Sequence, residues 1–284
     1  MNLSDAGELR AQLSKSGFHF SKSMGQNFLI DGDVPRRIAE ESGIDRSNAV
    51  LEVGPGVGSL TAELAGRAGA VVAVELDRKL IPILRTALGG LTNVEVVQGD
   101  ILKLDIPALV SREGLRPAVC ANLPYSITTP LLSKLVDAGV FESMTLMVQK
   151  EVALRICALP GDAAYGAFSL YIAYHTVPEM LFDVEPECFL PRPRVTSTVI
   201  KLVPRDGPPD NIADKELFFS VVKAAFLQRR KTLVNALTAS FGDRLPKGEI
   251  GEIVASCGFD GRIRGETLGI PEFAAIANKM RDRL

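Results

Sequence analysis

From residue 49 onward the chain alternates two hydrophobic periodicities, and that alternation limits its fold more than any other feature. The β-branched runs AVLEV (49–53), AVVAVE (70–75), VEVVQ (94–98), AVCAN (118–122) and MTLMVQ (144–149) read as buried strands. Between them, SLTAELAGRAG, DRKLIPILRTALGG and SITTPLLSKLVDAG carry apolar residues at helical spacing and exit through glycines. Such repetition predicts an α/β fold built on an open, mostly parallel sheet with helices on both faces. Two later runs with no clear helix between them, SLYIAYHTV (169–177) and STVIKLV (197–203), are expected to add an antiparallel edge.

The pattern changes after KLVPRDGPPDN (201–211), a proline- and glycine-rich stretch that reads as a linker. DKELFFSVVKAAF, QRRKTLVNALTASF, KGEIGEIVASCG and TLGIPEFAAIANKMRDRL then predict a small C-terminal helical domain. With 284 residues, 46% of them hydrophobic, the chain can bury a full core in the first domain and a smaller one in the second. The formal charge of -2 means that any surface for nucleic acid must be local. Cys120, Cys157, Cys188 and Cys257 form no CxxC pair, and the histidines are His19 and His175 alone, so no metal is expected and the thiols read as reduced core residues. No stretch has the length of a membrane span, and the N-terminus lacks the apolar core of a signal peptide, which predicts a cytoplasmic protein.

The first chemical signal is LEVGPGVGSLT (51–61), a strand running into a glycine turn that opens a helix. Gly54, Gly56 and Gly58 allow a sharp turn and close approach of a ligand. Ser59 stands where the full dinucleotide fingerprint wants Gly or Ala, which disfavours a nicotinamide or flavin. Glu75 ends the second strand, where a carboxylate can accept both hydroxyls of a ribose, and Asp100 follows the third, where it can accept from the exocyclic amine of an adenine. Either acid alone is more often a cap or a solvated turn residue. Three consecutive strand ends carrying these groups point to an adenosine-bearing ligand without a pyrophosphate, S-adenosylmethionine.

The fourth strand end is NLPY (122–125). An amino group conjugated to an aromatic ring is a poor nucleophile, because its lone pair is delocalised. The Asn122 side-chain oxygen and the Leu123 main-chain carbonyl can accept its hydrogens and aim that lone pair at a methyl donor. Pro124 stiffens the turn, and Tyr125 offers a ring on which an extruded base can stack.

Nearly the whole chain, from GQNFL to EFAAIANKM, resembles the ribosomal RNA adenine-N6,N6-dimethyltransferases, most closely the bacterial small-subunit (16S) enzymes. The resemblance rests on GQNFLID (25–31), LEVGPGVGSLT, VVAVELD, QGDILKLD, NLPYSITTPLL, QKEVALRI, CFLPRPRVTSTVIKL and AAFLQRRKTLVNAL, in the family's order. It implies a Rossmann-like methyltransferase sheet, and it implies that Gln26, Asn27, Leu29, Gly54, Gly56, Glu75, Asp100 and Asn122 contact S-adenosylmethionine, with S-adenosylhomocysteine as product. It further implies double methylation of two adjacent adenines in a hairpin near the 3′ end of 16S rRNA, in an immature 30S particle. Phe189 matches the aromatic that such enzymes bring to the base face opposite Tyr125; read unaided, it is a core residue. Ser126 and Cys188 depart from the family's commoner Asn and Ala.

Pro191 and Pro193 rigidify a loop from which Arg192 and Arg194 can meet phosphates. LQRRK (227–231), with Arg229, Arg230 and Lys231, is the other basic cluster, expected at the start of a helix and either solvated or facing RNA. The expected organisation is a flexible arm over 1–24, a cofactor-binding catalytic domain over 25–204, and a helical domain over 205–284 that binds RNA or the ribosome, in a monomer. The rivals are a large-subunit rRNA adenine methyltransferase of the macrolide-resistance type, a DNA adenine methyltransferase, whose turn carries Asp in place of Asn122, and a non-catalytic ribosome-assembly factor.

Overall fold

The computed structural model describes Gly7 and residues 26–284, so the arm expected over 1–24, with His19, lies outside the described residues except at Gly7. The chain forms two compact units. One takes in residues up to Ala153 and Glu179–Pro204; the other takes in Leu154–Pro178 and Arg205–Leu284.

The first unit follows the alternation in the sequence. Its described elements are β1 (Phe28–Leu29), α1 (Asp33–Glu41), β2 (Asn48–Val53), α2 (Ser59–Arg67), β3 (Ala70–Glu75), α3 (Leu80–Leu88), β4 (Val94–Gln98), α4 (Ile106–Val110), β5 (Arg116–Asn122), α5 (Thr128–Ala138) and β6 (Ser143–Gln149). Along the chain, α6 (Lys150–Ile156) then passes into the other unit, which holds α7 (Ala167–His175), and β7 (Thr176–Val184) returns to this one, followed by β8 (Phe189–Leu190) and β9 (Ser197–Pro204). One seven-stranded sheet has the order β4-β3-β2-β5-β6-β9-β7. β2, β3, β4, β5 and β6 are parallel, and β9 joins β6 antiparallel with Ser197 opposite Gln149, as the edge in the sequence predicted. β2 is buried along its whole length, and the core beside it is built from Val50, Leu60, Leu64, Ala118, Cys120 and Val199.

SLYIAYHTV corrects the sequence reading, because its first seven residues are helix α7 and only Thr176 and Val177 belong to a strand. Its aromatic, β-branched composition imitates a buried strand. The helix instead begins where the Gly166 N–H is held by Ser169 Oγ at 3.1 Å, and Tyr171 and His175 meet at helical spacing with ring centroids 4.7 Å apart.

The second unit adds α8 (Lys215–Leu227), α9 (Leu233–Phe241), α10 (Lys247–Ser256) and α11 (Ile270–Arg281). Asp214 and Thr232 cap α8 and α9 by accepting from Leu217 N–H and Asn235 N–H. α7 shares this helical core. Leu170 and Tyr174 pack with Phe218, Leu237 and Phe273, and the Tyr165 hydroxyl donates to the Leu268 carbonyl at 2.8 Å. The helical unit therefore includes 154–178, whereas the linker in the sequence predicts that it starts at 205. LQRRK also lies differently. Gln228–Lys231 form the exposed turn between α8 and α9, because α8 ends at Leu227 and the Thr232 cap delays the next helix to Leu233.

Candidate active site

In the order β4-β3-β2-β5 the chain leaves β2 in one direction and returns on its other side at β5, so the sheet reverses between these two strands. A crevice outside the carboxyl ends is expected at such a switch point. A cavity of about 220 Å³ opens there, lined among others by Gln26, Asn27, Gly54, Gly56, Glu75, Asp100, Asn122, Leu123 and Tyr125. The strand ends singled out in the sequence thus converge on one space.

The glycine turn is needed by its own neighbours as well as by a ligand. Gly54 and Gly56 have φ of +70° and +60°, and a Cβ on Gly56 would stand 2.9 Å from Phe28 Cδ1. Phe28 is held against Val57, Leu80, Ile83 and Leu190, so the ring has little room to yield. The segment of β1 thereby lies across the glycine turn, and β1 pairs with β8, Phe28 opposite Leu190 and Leu29 opposite Phe189.

Glu75 is fixed before any ligand arrives. One carboxylate oxygen accepts from Asp77 N–H at 2.8 Å and the other from Gly56 N–H at 3.3 Å. Burial pushes this carboxyl up from its ordinary range, while the two N–H groups draw it back down. Asp77 in turn accepts from Gln26 Nε2 at 3.0 Å, which ties the start of the described chain to the rim of the site. Asp100 turns one oxygen to Leu102 N–H at 3.0 Å and has Lys103 Nζ 3.6 Å from the other.

Asn122 is half-buried, and its Nδ2 donates to the Asn27 carbonyl at 3.3 Å. A main-chain carbonyl can only accept, so the amide's orientation is determined, and Oδ1 is the atom left to receive a hydrogen from a substrate. Leu123 N–H donates to the Met147 carbonyl of β6 at 3.1 Å, pinning the turn to the neighbouring strand. Burial raises the Tyr125 phenol above its usual range.

Leu29 and Phe189 are placed differently from the residues above. Both are buried in the hydrophobic core, and neither lines the main cavity. Leu29 does border a smaller polar recess of about 30 Å³ with Asn27, Glu52, Gly54, Gly56 and Asn122. Arg192 and Arg194 are exposed on the loop before β9, with Arg192 bonded to Glu187. Arg229, Arg230 and Lys231 lie in the helical unit, with Arg229 3.6 Å from Glu266.

Glu52 escaped the sequence reading. It sits on β2 with 2% of its surface exposed, borders the small recess, and its Oε2 has no hydrogen-bond partner. Burial pushes its carboxyl up to about 8, with the Glu75 charge adding to the rise. A signal was present in the sequence, since a carboxylate between the apolar residues of VLEV belongs to a type rarely buried without a reason.

These residues fit S-adenosylmethionine. A fixed, buried carboxylate stands at the β3 end and a second carboxylate follows β4, acceptors suited to a ribose and an amine. Among the described residues, no group of three or more His, Cys, Asp or Glu is placed to hold a metal ion.

Residues 17–249 match the family model described as ribosomal RNA adenine dimethylase. The chain belongs to the ribosomal RNA adenine dimethylase family. Within it, the chain is 46% identical over 276 residues to the ribosomal RNA small subunit methyltransferase A of Alkaliphilus oremlandii, covering 96% of each chain. Among solved structures, a dimethyladenosine transferase from Plasmodium falciparum superposes with a TM-score of 0.78 at 24% identity, over 90% of this chain and 98% of that one. The 23S rRNA methyltransferase ErmE follows this dimethylase at a TM-score of 0.71 and 26% identity, over 89% of this chain and 99% of its own. The shared fold is thus the Rossmann-like methyltransferase sheet with a helical region behind it in sequence.

Proposed function

We propose that this dimethylase methylates N6 of two adjacent adenines in the 3′-terminal hairpin of small-subunit (16S) rRNA, twice each, giving N6,N6-dimethyladenosine during ribosome biogenesis. S-adenosylmethionine supplies an electrophilic methyl on a sulfonium. Gln26, Asn27, Leu29, Gly54, Gly56, Glu75 and Asp100 hold this donor, Glu75 at the ribose and Asp100 at the adenine amine. Asn122 Oδ1 and the Leu123 carbonyl accept the hydrogens of the target amine, and Tyr125 carries the extruded base, with Phe189 assigned to its other face. No residue need act as a strong base, because the amine becomes acidic as it gains positive character and can pass its proton to the same acceptors or to water.

The observation that carries this reading is the bond from Asn122 Nδ2 to the Asn27 carbonyl, since it presents an acceptor where amine chemistry needs one. For substrate, near-full-length 46% identity to a small-subunit enzyme outweighs 26% identity to the large-subunit enzyme ErmE. Arg192, Arg194, Arg229, Arg230 and Lys231 are assigned to rRNA phosphates in an immature 30S particle. The protein works as a cytoplasmic monomer, which a solution mass near twice the 30.5 kDa chain would contradict.

The test is transfer of labelled methyl groups to small subunits lacking the modification, with large subunits and duplex DNA in parallel. Dimethyladenosine confined to small-subunit RNA is expected. Label only in large subunits or DNA overturns the substrate assignment, and absence of label with intact cofactor binding leaves the assembly-factor reading.

A further inference from the structure

Tyr125 follows β5, yet its hydroxyl is bonded two strands away. Tyr125 Oη and Ser197 Oγ lie 2.6 Å apart, and Ser197 is fully buried. Ser197 opens β9, paired with Gln149 at the end of β6, and the adjacent Lys150 N–H donates to the Thr196 carbonyl at 3.0 Å. The serine is therefore anchored to the sheet, whereas the tyrosine sits on a single 3₁₀ turn, Tyr125–Ile127. That turn is fixed at its base by Ile127 N–H bonded to the Pro124 carbonyl at 3.2 Å. The backbone sets where the ring begins, and two side-chain torsions remain. A hydroxyl tether at the far end of the ring removes that freedom.

We propose that Ser197 is a positioning residue for methyl transfer, holding the Tyr125 ring in the plane on which the target adenine stacks. The inference rests on the reading of Tyr125 as that stacking surface. Ser197 does not line the cavity, so it acts through the tyrosine and touches neither donor nor base. Bonding the ring across two strand ends also makes its orientation a property of the sheet, and a purine on that face needs its N6 aligned with Asn122, which is held by the same edge.

The experiment compares Ser197→Ala, Tyr125→Phe, their combination and Tyr125→Ala in the full chain. Single-turnover methyl transfer to unmodified small subunits is measured beside affinity for S-adenosylhomocysteine. Ser197→Ala and Tyr125→Phe should each slow transfer about five- to tenfold, the loss of one hydrogen bond, with product affinity unchanged. The double variant should be no slower than the worse single one, because both remove the same bond. Tyr125→Ala should fall well below all three. Full rates in both single variants, or losses that multiply in the double, would overturn the inference while an impaired Tyr125→Ala leaves the stacking reading standing. An unimpaired Tyr125→Ala would overturn both. Should Ser197→Ala fail to fold, Tyr125→Phe removes the same bond from the half-buried side and decides alone, a full rate counting against the inference.

Discussion

Glu52 makes the stability of this protein depend on pH in a direction opposite to that of ordinary paired carboxylates. Its folded value of about 8 stands above the ordinary carboxyl value of 4.5 because burial penalises the charged form. Between those two values the unfolded chain has released the proton and the folded chain retains it. Unfolding then becomes easier as pH rises. The contribution is complete below pH 4.5, declines through the window, and is exhausted above about pH 8. At about 1.4 kcal/mol per pH unit the whole window amounts to roughly 4–5 kcal/mol, or a fall in Tm on the order of 10 °C for a chain of this size. Asp45 and Asp183, whose carboxyls are held low by Ser47 and Lys150, slope the other way only below the ordinary 3.8, outside this window, whereas Glu75, also raised by burial, slopes with Glu52. Glu52→Gln isolates the effect, because the amide has nearly the shape of the neutral acid and cannot ionise. Scanning calorimetry of both proteins from pH 5 to 9 should give Tm values that agree within a few degrees at the acid end and then separate, the wild type falling relative to the variant. Parallel curves would refute the reasoning, since they would mean that Glu52 is already ionised in the fold.

Gly56→Ala should weaken S-adenosylhomocysteine binding at least tenfold by calorimetry, because the added methyl meets Phe28 and the residue has φ of +60°; unchanged affinity would show that the ring moves freely. Gln26→Ala and Asp77→Ala remove the same bond at the rim of the cavity, and each should cost about five- to tenfold in cofactor affinity without adding in the double variant. Arg194→Ala and Arg230→Ala, measured against small subunits across a salt series, should each lower the dependence of log K on log salt by just under one, the signature of a lost phosphate contact. A change in affinity with unchanged slope would assign either arginine to another role.

What the sequence made legible was whatever local chain geometry enforces. A glycine turn, an acid at the next strand end and another after the third are tied to their places by parallel strands of fixed register, so alternation alone predicted that Gly54, Glu75, Asp100 and Asn122 would converge. Contacts across large sequence separations could not be read that way. The bond from Asn122 to Asn27 spans 95 residues and the one from Tyr125 to Ser197 spans 72, and neither partner advertises itself by periodicity. α7 was hidden because composition and burial agreed on an apolar segment and only tertiary packing chose the helix. Arg229 and Arg230 were moved off the helix by one threonine cap, a choice that hydrophobic spacing does not record.

The antiparallel strand explains why one edge can serve both substrates. Parallel strands β2, β3, β4 and β5 deliver their carboxyl ends to the cofactor crevice, β6 ends on the same edge beside them, and a sixth parallel strand would have begun at the opposite edge. β9 runs the other way, so its first residue, Ser197, arrives beside the last of β6. Arg194 precedes Ser197 by three residues, a reach of about 10 Å at full extension, and the loop therefore starts from the catalytic edge whatever its conformation. β8, just before that loop, is paired with β1, and Asn27, immediately before β1, holds Asn122. Charges placed on this loop are thus brought near the adenine acceptor by topology alone. The charge of that loop is mixed, since Arg192 is bonded to Glu187, so Arg194 is the loop cation on which the proposed phosphate contact at this edge chiefly rests.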